Sequence, residues 1–294
     1  MRDQAERLRE FILERKKEEA KNEPQMNARV IAIASGKGGV GKSNFATNLG
    51  LQMCKLGKRI VIIDADFGLA NVEILLGVAP KHSVTDVLVG KVSLEAALTI
   101  GPLGCTFLSG GTGISALNDV SDNQILRLTD GFLSLDSFAA CIIIDTRAGL
   151  SNAVINFIKA ASETIVVTTP DPTAIADAYA LIKSVKKSMP EIENLGLVVN
   201  CAVNEDEADE VYTKLSAVSK KFLGIELKSL GYVPYDPYLV KAVRRQKPVS
   251  ILYPYSESTK RFNEIAANLL QMDSTQKNSI QNFVLKLIGN FTSG

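Results

Sequence analysis

The run from Gly36 to Ser43, GKGGVGKS, has the spacing G-x-x-x-x-G-K-[ST]. Glycines at these positions let backbone N–H groups close around phosphate oxygens, and a helix that starts there adds partial positive charge. A lysine at the position of Lys42 reaches β- and γ-phosphates, and a hydroxyl at Ser43 holds Mg²⁺. The sequence therefore predicts a site for a nucleoside triphosphate or diphosphate with magnesium. The predicted phosphate-binding residues are Gly36, Lys37, Gly38, Gly39, Val40, Gly41, Lys42, Ser43 and Asn44.

Two other apolar runs end in acidic residues. Ile60 to Ile63 is followed by Asp64 and Asp66, and Ile142 to Ile144 is followed by Asp145. Carboxylates placed directly after buried strands are costly unless they face a metal ion, water or a lysine. Because the carboxyl ends of parallel strands meet at one rim of a sheet, these acids are expected beside the phosphate-binding run.

Short apolar segments alternate with helical patterns over the middle of the chain. The helical patterns include Asn44 to Lys55, Pro172–Ser188, Asp206–Phe222 and Glu257–Leu270. Such alternation predicts an α/β fold, with a three-layer, doubly wound, mostly parallel sheet covered by helices on both faces. The predicted strands are Val30–Ala34, Arg59–Asp64, Cys105–Leu108, Cys141–Asp145, Thr164–Thr168, Gly196–Asn200 and Glu226–Leu230.

Composition narrows the class of protein. Hydrophobic residues make up 46% of the 294 residues, enough for a large core, and the formal net charge is only +1. Such a small charge does not favour a nucleic-acid partner. The four cysteines are scattered, and Cys141 and Cys201 lie in or beside apolar runs, which predicts reduced core residues of a cytoplasmic protein. No signal peptide is visible, and no apolar stretch reaches the roughly 20 residues that span a bilayer.

The two ends of the chain differ from the middle. We divide the chain into an N-terminal helix and linker (1–27), a nucleotide-binding domain (28–272) and a C-terminal amphipathic helix (273–294). The last segment carries one apolar stripe at helical spacing, typical of a helix that lies in a membrane interface. The alternative is that the stripe packs on the core, either always or until another state releases it. The stripe consists of Ile280, Phe283, Val284, Leu287, Ile288 and Phe291.

A second lysine inside the phosphate-binding run, Lys37, resembles the deviant loop of the MinD/ParA group of ATPases. In that group this lysine reaches across a dimer interface to the ATP of the partner, so the resemblance implies a catalytic Lys37 and an ATP-dependent homodimer. Asp66 then matches the residue that orients the attacking water, and Asp64 matches one near the metal. Asp145 matches the Walker B aspartate, which holds Mg²⁺ through water.

Two further positions complete this resemblance. Asn200 matches an asparagine that contacts the adenine base, and the loop Val233 to Asp236 would close over it. Arg147 departs from the family, which usually has a small residue or proline there. In that family the segment that matches Thr146 to Gly149 is a switch that senses the γ-phosphate. An arginine within it could touch phosphate, contact a partner protomer or obstruct the switch.

The opening DQAERLR, residues 3–9, is similar to the D-Q-A-x-x-L-R signature of the FlhG (YlxH) family of flagellar regulators. The resemblance implies that Gln4, Leu8 and Arg9 bind the GTPase FlhF and stimulate it. It also implies contacts with basal-body (C-ring) proteins. Together these features predict a cytoplasmic ATPase switch that dimerises with ATP and then sits at the inner face of the cytoplasmic membrane.

Three other functions remain open on the same fold. A ParA-type partitioning ATPase would bind DNA non-specifically, but its basic surface would rest on little more than Lys220, Lys221, Arg244 and Arg245. An iron–sulfur carrier would need paired cysteines, which the spacing does not offer. A kinase-like synthetase would leave Lys37 and both chain ends unexplained.

Overall fold

The computed structural model describes residues 28–66, 71–111, 122–192, 194–271 and 280–292. In these ranges one eight-stranded sheet has the order β3-β4-β2-β5-β1-β6-β7-β8. Every pairing is parallel except that of β3 with β4. The predicted fold class is therefore confirmed. The strands are β1 (Arg29–Ala34), β2 (Ile60–Ala65), β3 (Thr99–Ile100), β4 (Thr106–Leu108), β5 (Cys141–Thr146), β6 (Glu163–Thr168), β7 (Asn194–Ala202) and β8 (Glu226–Pro234).

Helices cover both faces of the sheet. Two short 3₁₀ turns, Pro102–Gly104 and Leu135–Ser137, complete the described elements. The α-helices are α1 (Lys42–Lys55), α2 (Val72–Leu76), α3 (Val84–Leu88), α4 (Leu94–Ala97), α5 (Asp122–Ser134), α6 (Asn152–Ala160), α7 (Pro172–Ser188), α8 (Glu205–Leu223), α9 (Pro237–Arg244), α10 (Val249–Leu252), α11 (Glu257–Gln271) and α12 (Ile280–Thr292).

The central strand β1 contributes side chains to a hydrophobic core on each face of the sheet. Its side chains alternate, so that Val30, Ala32 and Ala34 pack with one set of helices while Ile31 and Ile33 pack with the other. The first core includes residues of α3 to α8 and of α12, and the second includes residues of α1, α2 and α9 to α11. A strand buried on both faces must be apolar along its whole length, which is the pattern of β1, β2 and β5.

The edge strands differ from the prediction. Strand β3 has only two residues, too few for a periodic signal, and it was not predicted. Strand β8 extends to Pro234, beyond the predicted end at Leu230, because a register shift opposite Leu197 to Val199 accommodates Gly231 at φ 106°. A glycine there reads as the end of a strand, but in this sheet it marks a bulge inside one.

The C-terminal stripe packs against the protein. Ile280, Phe283 and Val284 are buried in the first core, and the ring of Phe283 meets that of Phe132 on α5 edge-on at 5.8 Å. Leu287 is half-buried there, and the side chains of Ile288 and Phe291 lie outside the described residues. In this conformation the buried half of the stripe cannot reach a lipid surface.

Replacing Phe283 with alanine should lower the free energy of unfolding by about 3–5 kcal/mol, because it removes a buried ring and leaves a cavity. Lys286→Ala, at an exposed position of the same helix, should change it by less than about 0.5 kcal/mol. Urea unfolding followed by circular dichroism measures both values. Equal effects of the two substitutions would show that α12 is not docked in solution.

Candidate nucleotide-binding site

The phosphate-binding run follows β1 at the carboxyl rim of the sheet and leads into α1. Gly39 and Gly41 adopt φ values of 82° and 86°, a left-handed conformation that favours glycine. Gly41 is the N-cap of α1 and offers no side chain to the first-turn N–H groups. Those donors are therefore available to an anion at the helix N-terminus, as the sequence predicted.

Helix α7 fixes the loop from one side. A Cβ built on Gly36 would lie 2.0 Å from the backbone carbonyl oxygen of Asp177, so only glycine fits between the loop and α7. Within the loop, the Ser35 hydroxyl donates to the Lys37 carbonyl at 3.0 Å. The loop is thus held in shape by its own protein before any nucleotide is considered.

Lys42 and Asp145 form a buried ion pair at the centre of the site. The Lys42 ammonium lies 2.5 Å from Oδ1 of Asp145, and the two side chains are 8% and 0% exposed. Among the described residues, Oδ2 of Asp145 is buried without a hydrogen-bond partner. Such an orphaned carboxylate oxygen, paired through Lys42 with the start of α1, fits the oxygen ligands and water shell that Mg²⁺ prefers.

Asp64 organises the segment after β2. It lies opposite Asp145 in the register of β2 and β5 and is buried. One carboxylate oxygen accepts the N–H of Asp66, and the other accepts those of Asn71 and Val72, at 2.9–3.1 Å. Burial and the nearby Asp145 raise the pKa of Asp64 to about 7, against the effect of these N–H donors. A metal role for Asp64 stays a prediction, since both oxygens already hold the backbone.

Asp66 faces an arginine whose role the sequence left open. The Nε of Arg147 lies 3.8 Å from Oδ1 of Asp66, and the Arg147 side chain is 60% exposed. Burial raises the pKa of Asp66, while the charges of Arg147 and Lys42 oppose that rise. Arg147 thus sits against the carboxylate expected to orient water. Residues 67–70, which follow Asp66 in the chain, lie outside the described residues.

Lys37 contacts its own subunit. Its ammonium donates to the Thr173 hydroxyl and lies 3.6 Å from a carboxylate oxygen of Asp171. Asp171 caps α7 by accepting the hydroxyl and the N–H of Thr173, each at 2.7 Å, and these two bonds lower the pKa of Asp171. The sequence analysis missed both partners, although Asp-Pro-Thr before a helical pattern is an N-cap signal.

Asn200 lies against the phosphate-binding run. Its side-chain amide donates to the Val40 carbonyl at 2.7 Å, and a Cβ on Gly41 would lie 2.2 Å from that nitrogen. One donor of Asn200 is therefore spent on the loop, and the contact with an adenine base stays a prediction. In the adjoining loop, Asp236 caps α9 and accepts both the N–H and the hydroxyl of Ser258.

The remaining predictions concern the N-terminal segment, metal ligands and the cysteines. Gln4, Leu8 and Arg9 lie outside the described residues. No group of three or more histidine, cysteine, aspartate or glutamate side chains in the described ranges is placed to hold a metal ion by itself. The prediction that Cys201 is a core residue is wrong, because the residue lies near the end of its strand, is exposed and has a positive φ of 59°.

The chain matches the CobQ/CobB/MinD/ParA nucleotide binding domain over residues 31–249 and belongs to this family. It is a MinD-like ATPase of the group that contains the flagellar FlhG and FleN proteins. It is 33% identical to the antiactivator FleN of Pseudomonas aeruginosa, over 90% of this chain and 95% of FleN. It is 32% identical to the flagellum site-determining protein YlxH of Helicobacter pylori, over 89% and 90%.

Solved structures agree on the fold. The MinC:MinD cell division complex of Aquifex aeolicus contains a chain that is 26% identical, with a TM-score of 0.65 over 84% of this chain and 97% of that one. MinD of Pyrococcus horikoshii, solved with Mg-ADP, has a TM-score of 0.66 at 23% identity, over 83% and 96%. At that identity the second likeness shows the fold alone.

Gly36→Ala should destabilise the nucleotide-free protein by about 1–3 kcal/mol, because the added methyl overlaps the Asp177 carbonyl. The matched control is Gly38→Ala, where nothing lies within 4 Å of the added Cβ, and it should cost less than about 0.5 kcal/mol. Thermal unfolding without nucleotide measures both. If the control is as damaging as Gly36→Ala, the loop is not packed against α7 in solution.

Proposed function

We propose that this ATPase is a switch that regulates the number and placement of flagella through an ATP-bound, membrane-associated dimer. The observation that carries the ATP site is the buried Lys42–Asp145 pair with its orphaned carboxylate oxygen. The flagellar role rests on the likeness to FleN and YlxH over about nine-tenths of the chain.

Nucleotide binding exchanges the partner of Lys42. The β- and γ-phosphates would take over its ammonium, which frees Asp145 for the water shell of Mg²⁺ next to Ser43. Phosphoryl transfer to water needs placement and charge, so Asp66 can serve by orienting the water. Arg147, at 3.8 Å from Asp66, must then swing away or share that carboxylate with the water. We infer that Arg147 restrains hydrolysis in the free subunit.

Dimerisation would use Lys37, which an ordinary phosphate-binding loop does not need. Lys37 is held by Thr173 and Asp171, and the exposed fractions of Lys37 and Asp171 are 41% and 52%. An exposed ion pair of this kind contributes only about 0–1 kcal/mol, so the ATP of a second protomer can compete for the ammonium. The proposed homodimer is therefore one in which Lys37 leaves its own α7.

Membrane attachment would require α12 to leave the core. The helix is too short to cross a bilayer, and no other helix in the described ranges could cross one either. Burial of each large side chain such as Phe283 contributes about 1.5–3 kcal/mol, so lipid must offset the loss of that packing. Two helices on one dimer do this better than one, because the second insertion is intramolecular.

Partner control is assigned to the N-terminal segment. By its likeness to the FlhG signature, the region around Gln4, Leu8 and Arg9 would bind FlhF and stimulate its GTPase. Contacts with basal-body C-ring proteins are proposed on the same resemblance. A cytoplasmic pool of subunits would then exchange with a membrane pool according to the bound nucleotide.

The two loop lysines should have separable effects. Lys42→Ala should weaken ADP binding at least about tenfold, since it removes a charge-assisted contact to phosphate. Lys37→Ala should leave ADP affinity within a few-fold of the parent but should stay monomeric with a non-hydrolysable ATP analogue, whereas the parent dimerises. Calorimetry and light scattering measure these properties. If the parent remains monomeric with the analogue, the switch proposal fails.

Release of α12 should depend on nucleotide. Amide exchange over residues 280–292 should be slow with ADP and should speed up with the ATP analogue, and sedimentation with liposomes should follow the same order. Asp66→Ala is the control, because it should bind ATP without hydrolysing it and stay on liposomes. Sedimentation with α12 still protected would mean that another surface binds lipid.

A further inference from the structure

Three of the four cysteines gather at the end of the sheet opposite the nucleotide site. Cys141 pairs in register with Ile60 of β2, and Thr106 of β4 pairs with Val61. Cys105, one residue before Thr106, therefore lies beside Ile60 on the side away from Cys141. Cys105, Ile60 and Cys141 belong to one core cluster and point to the same face of the sheet.

Cys54 covers this row from the last turn of α1. After the helix ends, the chain turns through residues 56–59 and returns as β2, which brings Ile60 under Cys54. The Cys54 sulfur accepts from the N–H of Ile60 and lies within hydrogen-bonding reach of the Cys105 thiol, which also faces the Thr106 carbonyl at 4.0 Å. The two thiols are thus neighbours in the second core, although 51 positions separate them in the sequence.

A rigid turn presents Cys105. The N–H of Cys105 donates to the Pro102 carbonyl at 3.0 Å, and the N–H of Gly101 donates to the Cys105 carbonyl at 2.7 Å. Leu103 adopts a positive φ of 56°, which is uncommon for a residue with a side chain. The backbone on both sides of Cys105 is therefore held by hydrogen bonds, which keep Cys105 beside Ile60 at the start of β2.

The two thiols differ in access and in acidity. Cys54 is partly exposed, whereas Cys105 is fully buried. The hydrogen bond from Cys105 holds the pKa of Cys54 below its usual value, and the same contact raises that of Cys105. Burial raises the pKa of Cys141 to about 12. Cys54 is therefore both the more accessible and the more acidic of the two thiols, and it is the one that an oxidant meets first.

We propose that Cys54 and Cys105 are a redox modification site that closes to an intramolecular disulfide when a peroxide oxidises the protein. The Cys54 thiolate attacks one oxygen of hydrogen peroxide, forming a sulfenic acid and releasing hydroxide. The Cys105 sulfur then attacks the Cys54 sulfur, an S–S bond forms, and the sulfenic oxygen leaves as water. In sum, two thiols and one peroxide give one disulfide and two waters. Thiol reductants reverse the reaction.

The bond would tie the far end of α1 to the sheet. Helix α1 starts at Lys42, and the chain enclosed between Cys54 and Cys105 contains Asp64 and Asp66. A covalent link across such a long loop restricts the unfolded chain more than the folded one. Oxidation is therefore expected to stabilise the fold around the nucleotide site.

The test uses the full-length, reduced protein treated with hydrogen peroxide. Free thiols are then alkylated under denaturing conditions, and peptides are mapped by mass spectrometry. We expect a Cys54–Cys105 disulfide that dithiothreitol removes, together with a higher melting temperature of the oxidised protein. Stable sulfinic acid on Cys54 without a disulfide, or a bond from Cys54 to Cys141, would overturn the proposal.

Variants separate this pair from its neighbours. Cys141→Ser and Cys201→Ser should still form the bond and show the rise in melting temperature. Cys54→Ser and Cys105→Ser should show neither. Because Cys54 is partly exposed, Cys54→Ser should fold even if Cys105→Ser does not. A rise in melting temperature with peroxide in Cys54→Ser would assign the effect to another residue and refute the pair.

Discussion

The rest of the fold depends on the buried ion pair between Lys42 and Asp145. Two charges removed from water are costly unless each meets a partner in good geometry. The geometry depends on neighbouring strands, because Asp145 on β5 lies opposite Ile33 on β1, just before the loop that carries Lys42. Both strands must therefore be apolar on two faces and covered by helices. The glycines of the loop then let the lysine turn back over the strand ends.

Much of the fold was predictable because its strongest signals are local. Helix α7 was predicted with its observed bounds, since Pro172 can stand in the first turn of a helix and apolar residues recur after it at helical spacing. The buried strands were found from their continuous apolar runs. Strand β3 and the extension of β8 were missed, because two residues carry no period and Gly231 looks like an interruption.

The site was predictable as far as its motifs reach. The phosphate-binding run, Asp64 and Asp145 each belong to a short local motif, and the fold brings these motifs together. The contact of Lys37 with Thr173 was not predictable, because it joins residues 136 positions apart. The environment of Asp64 was equally hidden. Its raised pKa depends on burial and on a carboxylate from another strand, neither of which a sequence motif specifies.

The docked position of α12 places a double demand on its side chains. The face that carries Phe283 must fit a shaped protein groove against Phe132, and in the proposed cycle it must also suit disordered lipid. The groove favours side chains of a defined shape, whereas lipid favours hydrophobic side chains of any shape. Substitutions that improve the fit to the groove would therefore keep α12 docked on its own domain. Substitutions that add hydrophobicity without shape complementarity would let α12 bind lipid in both nucleotide states. Variation in this segment is therefore constrained from two directions.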